Sequence, residues 1–140
     1  MAGELDKLPE SEWRKRLPQE SYAVCRLKGT EIEGSGKFLD HWEKGIYVCI
    51  GCKVPLFRSE DKFKHCGWPS FSKAIGTADD GSEDDTYIAR RYDGVNKDRE
   101  MQETFCRKCG CHIGHVFNDG PAPFSRRFCT NSVSLEFTKA

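Results

Sequence analysis

The sequence predicts a mainly β protein with two short helices at its amino end. Three observations carry this prediction. The chain has 140 residues, enough for one hydrophobic core and too few for a second large domain. From Gly45 onward, short apolar runs alternate with glycine, proline and cysteine pairs, which is typical of strands joined by tight turns. Before that point, a proline stands at the start of each of two helical segments.

The two helices are predicted within the first 30 residues. One follows Pro9 in PESEWRKRL, and the other follows Pro18 in PQESYAVCRLKG, where Gly29 is placed to end it. We therefore expect one domain over residues 1–140, with residues 1–30 as a helical segment packed on it. Residues 1–20 are polar and lack the apolar stretch of a secretory signal, so we expect the protein in the cytoplasm.

The strands are predicted in seven short segments: GIYV, VPLFR, TYIARRY, TF, CHIGHVF, RRFCT and SVSLEF. In the last of them, Val133, Leu135 and Phe137 should point one way and the polar residues between them the other, as in a half-buried strand. The acidic stretch IGTADDGSEDDT lacks the ligand spacing of a calcium loop and is predicted to be a solvated connection.

Composition argues against two classes of partner. The 22 Lys and Arg residues cancel the 22 Asp and Glu residues, so the chain has no net positive field for phosphate binding. No apolar run approaches the roughly 20 residues that cross a bilayer. We expect no nucleic-acid partner and no membrane partner.

Eight cysteines indicate chemistry at sulfur. Without a secretory signal they are expected to be reduced thiols or metal ligands. Cys49 and Cys52 form CIGC, Cys106 and Cys109 form CRKC, and 53 residues separate the pairs. Such pairs let four thiolates converge on one tetrahedral ion, so we predict one structural Zn²⁺ joining two distant hairpins. Two redox-active pairs, or four buried thiols, are the alternatives.

Four cysteines remain outside the predicted zinc site: Cys25, Cys66, Cys111 and Cys129. Cys129 follows Arg126 and Arg127, whose charges favour the thiolate over the thiol. Cys66 lies in HCGWPSF, where a turn would expose both its thiol and the indole of Trp68. The other two are expected to be buried as small hydrophobic residues.

Two histidines lie close together in HIGHVFNDGP. His112 and His115 would point to opposite faces of a regular strand, or come together if Gly114 allows a bulge. Histidines in such a segment are either surface or core residues or, beside a nucleophilic cysteine, proton donors. The residues alone leave both interpretations open.

These segments resemble the signature blocks of the B-type methionine-R-sulfoxide reductases. The blocks are CIGCKVPLFRSEDKF, GWPSF, CRKCGCHIGHVFNDGP and RRFCTNSVSLEF, and SEWRKRL with residues 22–31 extends the resemblance over nearly the whole chain. The resemblance implies a mainly β fold of two antiparallel sheets in a tent-like half-barrel, with helices at the amino end. It also implies a zinc held by two Cys-x-x-Cys pairs away from the active site.

The resemblance further implies roles for individual residues. Cys129 corresponds to the nucleophile and Cys66 to the common resolving cysteine. The substrate-pocket positions and their supporting groups correspond to Trp68, His112, His115, Phe117, Asn131, Asp119 and Arg127. Cys25 and Cys111 are additional thiols and are the alternatives to Cys66 as the resolving residue, and the acidic stretch is longer than usual.

The implied reaction is thiol-dependent reduction of methionine-R-sulfoxide in proteins, a repair of oxidative damage. The Cys129 thiolate attacks the sulfoxide sulfur while a histidine, with His115 favoured, protonates the oxygen. Methionine leaves, and Cys66 condenses with the Cys129 sulfenic acid to form a disulfide. Thioredoxin is the expected reductant of that disulfide. Trp68 is expected to receive the S-methyl group, and the protein is expected to be a monomer.

Two other functions are compatible with parts of the sequence. A non-catalytic binding module held together by zinc explains the two Cys-x-x-Cys turns, here called knuckles. It does not explain why GWPSF, HIGHVFNDGP and RRFCTNS occur together. A thiol peroxidase or disulfide reductase would also use a low-pKa cysteine and a resolving partner. The relative turnover of peroxide and methionine-R-sulfoxide separates these functions.

Overall fold

The described part of the chain contains two antiparallel sheets, two short α-helices and two 3-10 helices, at Ser59–Asp61 and Ser132–Ser134. The computed structural model describes residues 9–27, 29–65, 67–78, 84–91 and 101–139. The mainly β class with two sheets is confirmed. Cys66 and residues 79–83 of the acidic stretch lie outside the described residues, as does the end of the predicted TYIARRY strand.

The helices begin where the prolines predict. Helix α1 (Glu10–Arg16) follows Pro9 and α2 (Gln19–Cys25) follows Pro18. The prediction that Gly29 ends the second helix is wrong, because α2 ends at Cys25. Arg26 leaves the helix there and donates from Nη1 to the carbonyl of Cys109 (3.3 Å). Neither helix has the length or the apolar character needed to cross a membrane.

The strands form a smaller and a larger sheet. They are β1 (Gly45–Cys49), β2 (Pro55–Arg58), β3 (Lys62–Phe63), β4 (Ser70–Phe71), β5 (Ile88–Arg91), β6 (Met101–Cys106), β7 (His112–Phe117), β8 (Arg127–Thr130) and β9 (Leu135–Lys139). The smaller sheet has the order β2-β1-β9, and the larger has the order β3-β4-β8-β7-β6-β5. All pairings described are antiparallel.

The predicted strand SVSLEF is only partly correct. Ser132–Ser134 is a 3-10 helix, and β9 begins at Leu135. Ser132 and Ser134 are fully buried while Val133 is only half-buried, which reverses the predicted alternation. The reason is that both hydroxyls hold backbone groups in the interior. Ser132 Oγ accepts from the amide of Phe38 (3.2 Å), and Ser134 Oγ donates to the carbonyl of His112 (2.9 Å).

Aromatic packing joins the two sheets. Phe57 on β2 stacks on Phe71 of β4 with ring centroids 4.3 Å apart, and it meets Phe128 of β8 edge-on at 5.7 Å. Tyr47 on β1 also contacts Phe71, at 5.3 Å. Since side chains alternate along a strand, Phe128 in this core directs the next residue, Cys129, to the opposite face of the larger sheet.

A buried lysine fixes the segment that precedes β1. Lys62 is 8% exposed, and its Nζ donates to the carbonyls of Phe38, Leu39 (3.2 Å) and His41. The same amine lies 4.2 Å from the ring centroid of Trp42. Burial lowers the pKa of Lys62 to about 8. One side chain therefore satisfies three carbonyls of a segment without regular secondary structure.

Candidate active site and metal centre

Both Cys-x-x-Cys pairs form the same tight turn. Cys49 is the last residue of β1 and Cys106 the last residue of β6. In the first turn the amide of Lys53 donates to the carbonyl of Cys49 (2.8 Å), and in the second Gly110 donates to Cys106 (2.8 Å). Lys53 and Gly110 have φ values of 68° and 81°, so the chain reverses through the left-handed region at equivalent positions. The two knuckles therefore present their sulfurs in the same way.

The four knuckle sulfurs converge on one point. All lie within 4.8 Å of one another, and the Cys49–Cys109 and Cys52–Cys106 Sγ pairs are each 3.5 Å apart. A tetrahedral site with Zn–S bonds of about 2.3 Å requires sulfurs about 3.8 Å apart. Hydrogen bonds from the neighbouring thiols lower the pKa of Cys52 below its usual range. Both the spacing and the all-thiol donor set fit a structural zinc ion.

The two helices cover this cluster. A Cβ on Gly51 would lie 2.8 Å from Cys111 Sγ, 3.2 Å from Cys109 Sγ and 3.3 Å from the ring of Trp13. The Arg26 guanidinium stacks at 4.7 Å over Trp13, which is fully buried on α1. Cys111 is also fully buried, as predicted. The helical segment is thus anchored on the cysteine cluster.

A separate cavity of about 160 Å³ opens beside Cys129. It is lined by Thr30, Trp68, Gly114, His115, Phe117, Cys129, Thr130 and Asn131. Five of these residues were predicted from the sequence: Trp68, His115, Phe117, Cys129 and Asn131. The cavity shares no residue with the cysteine cluster.

One row of side chains crosses the larger sheet at the cavity. Cys129 on β8 is directly opposite His115 on β7, which is opposite Glu103 on β6, which in turn is opposite Arg91 on β5. Opposed residues of antiparallel strands project to the same face of a sheet. A Cβ on Gly114 would collide with the carbonyl of Cys129, so glycine allows β7 and β8 to approach here.

His112 lies behind His115. The β6–β7 register shifts at Ile113, because Thr104 pairs with Gly114 while Phe105 pairs with His112. This bulge brings the two histidines together, with ring centroids 5.6 Å apart and an edge-on geometry of 72°. His112 is only 4% exposed and does not line the cavity, although the resemblance placed it at a pocket position.

Glu103 is the buried partner of His112. Its Oε2 lies 2.8 Å from His112 Nδ1, and Arg91 donates to the same carboxylate from Nε (2.8 Å) and Nη2 (3.2 Å). Burial would raise the pKa of Glu103, but the hydrogen bonds from His112 and Arg91 lower it to about 2. The sequence analysis did not identify Glu103 or Arg91. A single glutamate in MQETFC shows no pattern that separates a buried side chain from a solvent-facing one.

The segment around Glu31 holds two cavity walls. Its carbonyl accepts from Trp68 Nε1 (3.1 Å), and its amide donates to Asn131 Oδ1 (3.0 Å). Asn131 Nδ2 donates to the carbonyl of Ile113 (3.0 Å), so the Asn131 amide ties this segment to β7. The Glu31 carboxylate accepts from the amide of Val133 (3.1 Å), and burial raises its pKa. The contribution of Thr30 and Glu31 was not predicted residue by residue.

Asp119 and Arg127 support the cavity from outside. Neither residue lines it. They form an ion pair in which Arg127 Nε lies 2.8 Å from Asp119 Oδ1, and the hydrogen bond from Arg127 lowers the pKa of Asp119. The Arg127 guanidinium carbon lies 4.0 Å from the ring centroid of Phe117. The pair therefore braces the Phe117 wall.

The cavity combines three chemical functions. Cys129 supplies a sulfur nucleophile, and the opposed His115 supplies an imidazole that can donate or accept a proton. Trp68 and Phe117 supply apolar surface. A cavity of about 150 Å³ holds a molecule of the size of benzene, so this one has room for a single small side chain.

Comparisons with known proteins point to one family. Residues 17–139 match the family model described as the SelR domain. The Homo sapiens protein named methionine-R-sulfoxide reductase B2, mitochondrial, is 47% identical over 131 residues, covering 93% of this chain and 71% of that protein. Proteins named peptide methionine sulfoxide reductase MsrB are 43% identical in Alteromonas mediterranea (94% of this chain, 87% of that protein) and 42% identical in Hahella chejuensis (97% and 94%). All cavity residues and both cysteine pairs fall within the matched range.

Proposed function

The chain belongs to the SelR-domain family of methionine-R-sulfoxide reductases, and on that premise we propose that Cys129 is its nucleophile and Cys66 its resolving thiol. The protein is a peptide-methionine (R)-S-oxide reductase. One observation carries the proposal for the nucleophile. Among the cysteines that the structure describes, Cys129 lines a side-chain-sized cavity, and it stands directly opposite His115 there.

The first step transfers oxygen from substrate to enzyme. The Cys129 thiolate attacks the sulfur of the sulfoxide, and an S–O bond to Cys129 replaces the S–O bond of the substrate. The substrate sulfur is reduced by two electrons and leaves as methionine. The Cys129 sulfur is oxidised by two electrons and becomes a sulfenic acid. The proton that the oxygen requires comes from a neighbouring acid.

His115 is the proposed acid. It lines the cavity and faces Cys129 from the next strand, whereas His112 is buried behind it. An imidazolium in this place can protonate the sulfoxide oxygen as the sulfur is attacked. His112 then contributes by its contact with the His115 ring.

Trp68 and Phe117 are proposed to hold the S-methyl end of the substrate. Both line the cavity, and the indole N–H of Trp68 is already bonded to the Glu31 carbonyl. The ring therefore offers mainly apolar surface to a ligand. If the methyl group lies on these rings and the oxygen faces His115, the two epimers send the rest of the methionine side chain in different directions, and only one lets it leave the cavity with the sulfur facing Cys129.

The sulfenic acid is then proposed to condense with Cys66, forming a disulfide and releasing water. Cys66 lies outside the described residues, but Gly67 and Trp68 follow it in sequence and Trp68 lines the cavity. The other two candidates are poorly placed for exchange with an external protein. Cys25 is 2% exposed and donates to Ser134 Oγ (3.6 Å), while Cys111 is fully buried near Cys109.

Thioredoxin is the proposed reductant. A protein disulfide exchanges with a low-potential external dithiol, which becomes oxidised as both enzyme thiols are restored. The cavity's position at the surface of the larger sheet supports such access, since Cys129 is half-buried rather than enclosed. Repair of oxidised proteins, a monomeric state and a cytoplasmic location stay predictions from the sequence.

The cysteine cluster is proposed to hold one zinc ion. Cys49, Cys52, Cys106 and Cys109 would bind it and so join β1 to the β6–β7 hairpin. A zinc with four thiolate ligands has no open position, so its contribution is to stability. The proposed attack and protonation use Cys129 and His115, which line the separate cavity.

One comparison tests the proposed function. Purified protein should reduce N-acetyl-methionine-R-sulfoxide with dithiothreitol much faster than it reduces hydrogen peroxide, and Cys129→Ser should abolish the sulfoxide activity. A peroxide rate equal to or above the sulfoxide rate would favour a thiol peroxidase. Sulfoxide turnover by a folded Cys129→Ser variant would exclude Cys129 as the nucleophile.

A further inference from the structure

Glu103 is a buried carboxylate that the proposed reaction does not use. It is 2% exposed on β6, the strand next to the edge strand β5 of the larger sheet. Burying a charged carboxylate is costly unless partners compensate for the lost hydration. Here Arg91 and His112 compensate, and the resulting group occupies the row that leads to Cys129.

The geometry fixes which nitrogen of His112 carries hydrogen. An ionised carboxylate only accepts hydrogen bonds, so the 2.8 Å contact between Glu103 Oε2 and His112 requires a proton on Nδ1. Glu103 remains ionised at neutral pH, since its pKa is about 2. The His112 ring is therefore held in one orientation, with its Nδ1–H directed to Glu103.

The fixed His112 ring contacts His115, which lines the cavity. The His112 ring meets His115 edge-on at 5.6 Å, and Glu103 is also the cross-strand neighbour of His115. His115 thus has Glu103 as its cross-strand neighbour on β6, Cys129 as its neighbour on β8, and the His112 ring beside it on its own strand. A proton donor must lie within hydrogen-bond reach of the oxygen that it protonates. If the His115 imidazole is free to change its orientation, the rate of the protonation step falls.

We propose that Glu103 is a positioning residue, which fixes the His112 ring against His115 and thereby holds His115 toward Cys129. This inference rests on the proposed role of His115 as the acid. Glu103 does not line the cavity, so its proposed role is to position other residues. Arg91 serves the same purpose one step further out, by holding the carboxylate from β5.

Two substitutions separate orientation from charge. Glu103→Ala removes the acceptor of the His112 Nδ1 proton, whereas Glu103→Gln keeps an acceptor oxygen of similar reach and loses only the charge. The single-turnover rate constant for methionine release should fall about tenfold or more in Glu103→Ala and less in Glu103→Gln, because general acid catalysis contributes roughly a hundredfold or more. The KM for the sulfoxide should change less than about twofold, since no cavity wall is altered.

A second readout reports on the histidine directly. Nitrogen-15 NMR of the imidazoles should show His112 protonated at Nδ1 in the wild type, and this signature should be lost in Glu103→Ala. Glu136→Gln is the matched control. Glu136 is paired with Lys53 at the surface of the other sheet, so its substitution should change neither the rate constant nor the imidazole spectrum.

The outcomes discriminate clearly. A folded Glu103→Ala variant with the wild-type rate constant, or one that changes only KM or thermal stability, overturns the proposal. Should Glu103→Ala not fold, Glu103→Asp decides, because the shorter side chain withdraws the carboxylate from His112 Nδ1: a wild-type rate constant overturns the proposal, and a several-fold loss at unchanged KM supports it. If the wild type itself shows no R-sulfoxide reduction, the proposed function fails instead, which is a separate result.

Discussion

His115 and Cys129 occupy directly opposed positions on β7 and β8. Their separation is therefore set by the register of the sheet and not by loop conformation. A slip of one residue would turn Cys129 into the core, to the face that Phe128 now occupies against Phe57. The aromatic core between the sheets thus protects the geometry of the cavity on the other face.

Removing a knuckle cysteine should remove the metal and the stability together. Cys49→Ser and Cys109→Ser should each lower the zinc content from about one ion per chain to near zero and cost about 4 kcal/mol or more of unfolding free energy. Elemental analysis and chemical denaturation measure the two effects. Cys25→Ser is the control, because that thiol is buried outside the cluster and its loss should leave zinc in place. A fully folded wild type without metal would contradict the zinc proposal.

Lys62→Met should destabilise the fold although it retains most of the side-chain volume. Three carbonyls, those of Phe38, Leu39 and His41, would lose their donor, at a cost of roughly 3 kcal/mol. Lys64→Met, two residues away at an exposed position, should change stability by less than about 0.5 kcal/mol. Urea denaturation compares the two variants. Equal effects would show that the carbonyl contacts of Lys62 contribute little.

Glu103 should make stability depend on pH in the acid range. Its pKa is about 2 in the folded protein against an ordinary 4.5, so the ionised form favours folding by about 3 kcal/mol at neutral pH. As pH falls below 4.5, the unfolded chain takes up the proton first and this stabilisation declines. The stability difference between wild type and Glu103→Gln should shrink by about 1.4 kcal/mol from pH 7 to pH 3.5. A difference independent of pH would contradict the depressed pKa.

The sequence predicts local features of this protein well and contacts between distant segments poorly. The knuckles were predictable because two ligands of each pair are three residues apart, so their geometry is local. Glu103 and Lys62 were not, because their partners are chosen by strand register and by packing of the segment around Phe38. The predicted orientation of Ser132 and Ser134 was wrong for the same reason. Their hydroxyls form hydrogen bonds with the backbone of Phe38 and His112, which no alternation pattern indicates.

Epimer selection should follow from the cavity walls. Wild-type protein should reduce the R-sulfoxide and leave the S-sulfoxide essentially untouched. With the methyl group on the rings and the oxygen at His115, only one configuration directs the rest of the methionine side chain out of the cavity. Trp68→Ala should weaken substrate binding, with a loss in kcat/KM of roughly tenfold or more from the missing apolar contact. Rates on the two purified epimers provide the measurement. Comparable wild-type rates on both would exclude this binding mode.

Substituting the two proposed redox thiols should cause two different failures. Cys129→Ser removes the attacking sulfur and should release no methionine under any reductant. Cys66→Ser leaves the attack intact, so it should release about one methionine per enzyme and then stall when thioredoxin is the reductant. Dithiothreitol should restore turnover to Cys66→Ser alone, because a small thiol can reach the sulfenic acid directly.

Cys25→Ser is the control and should cycle with thioredoxin like the wild type, since its thiol is buried against Ser134. If Cys66→Ser cycles with thioredoxin at the wild-type rate, Cys66 is not the resolving residue, and peptide mapping of the oxidised enzyme would then identify the partner of Cys129.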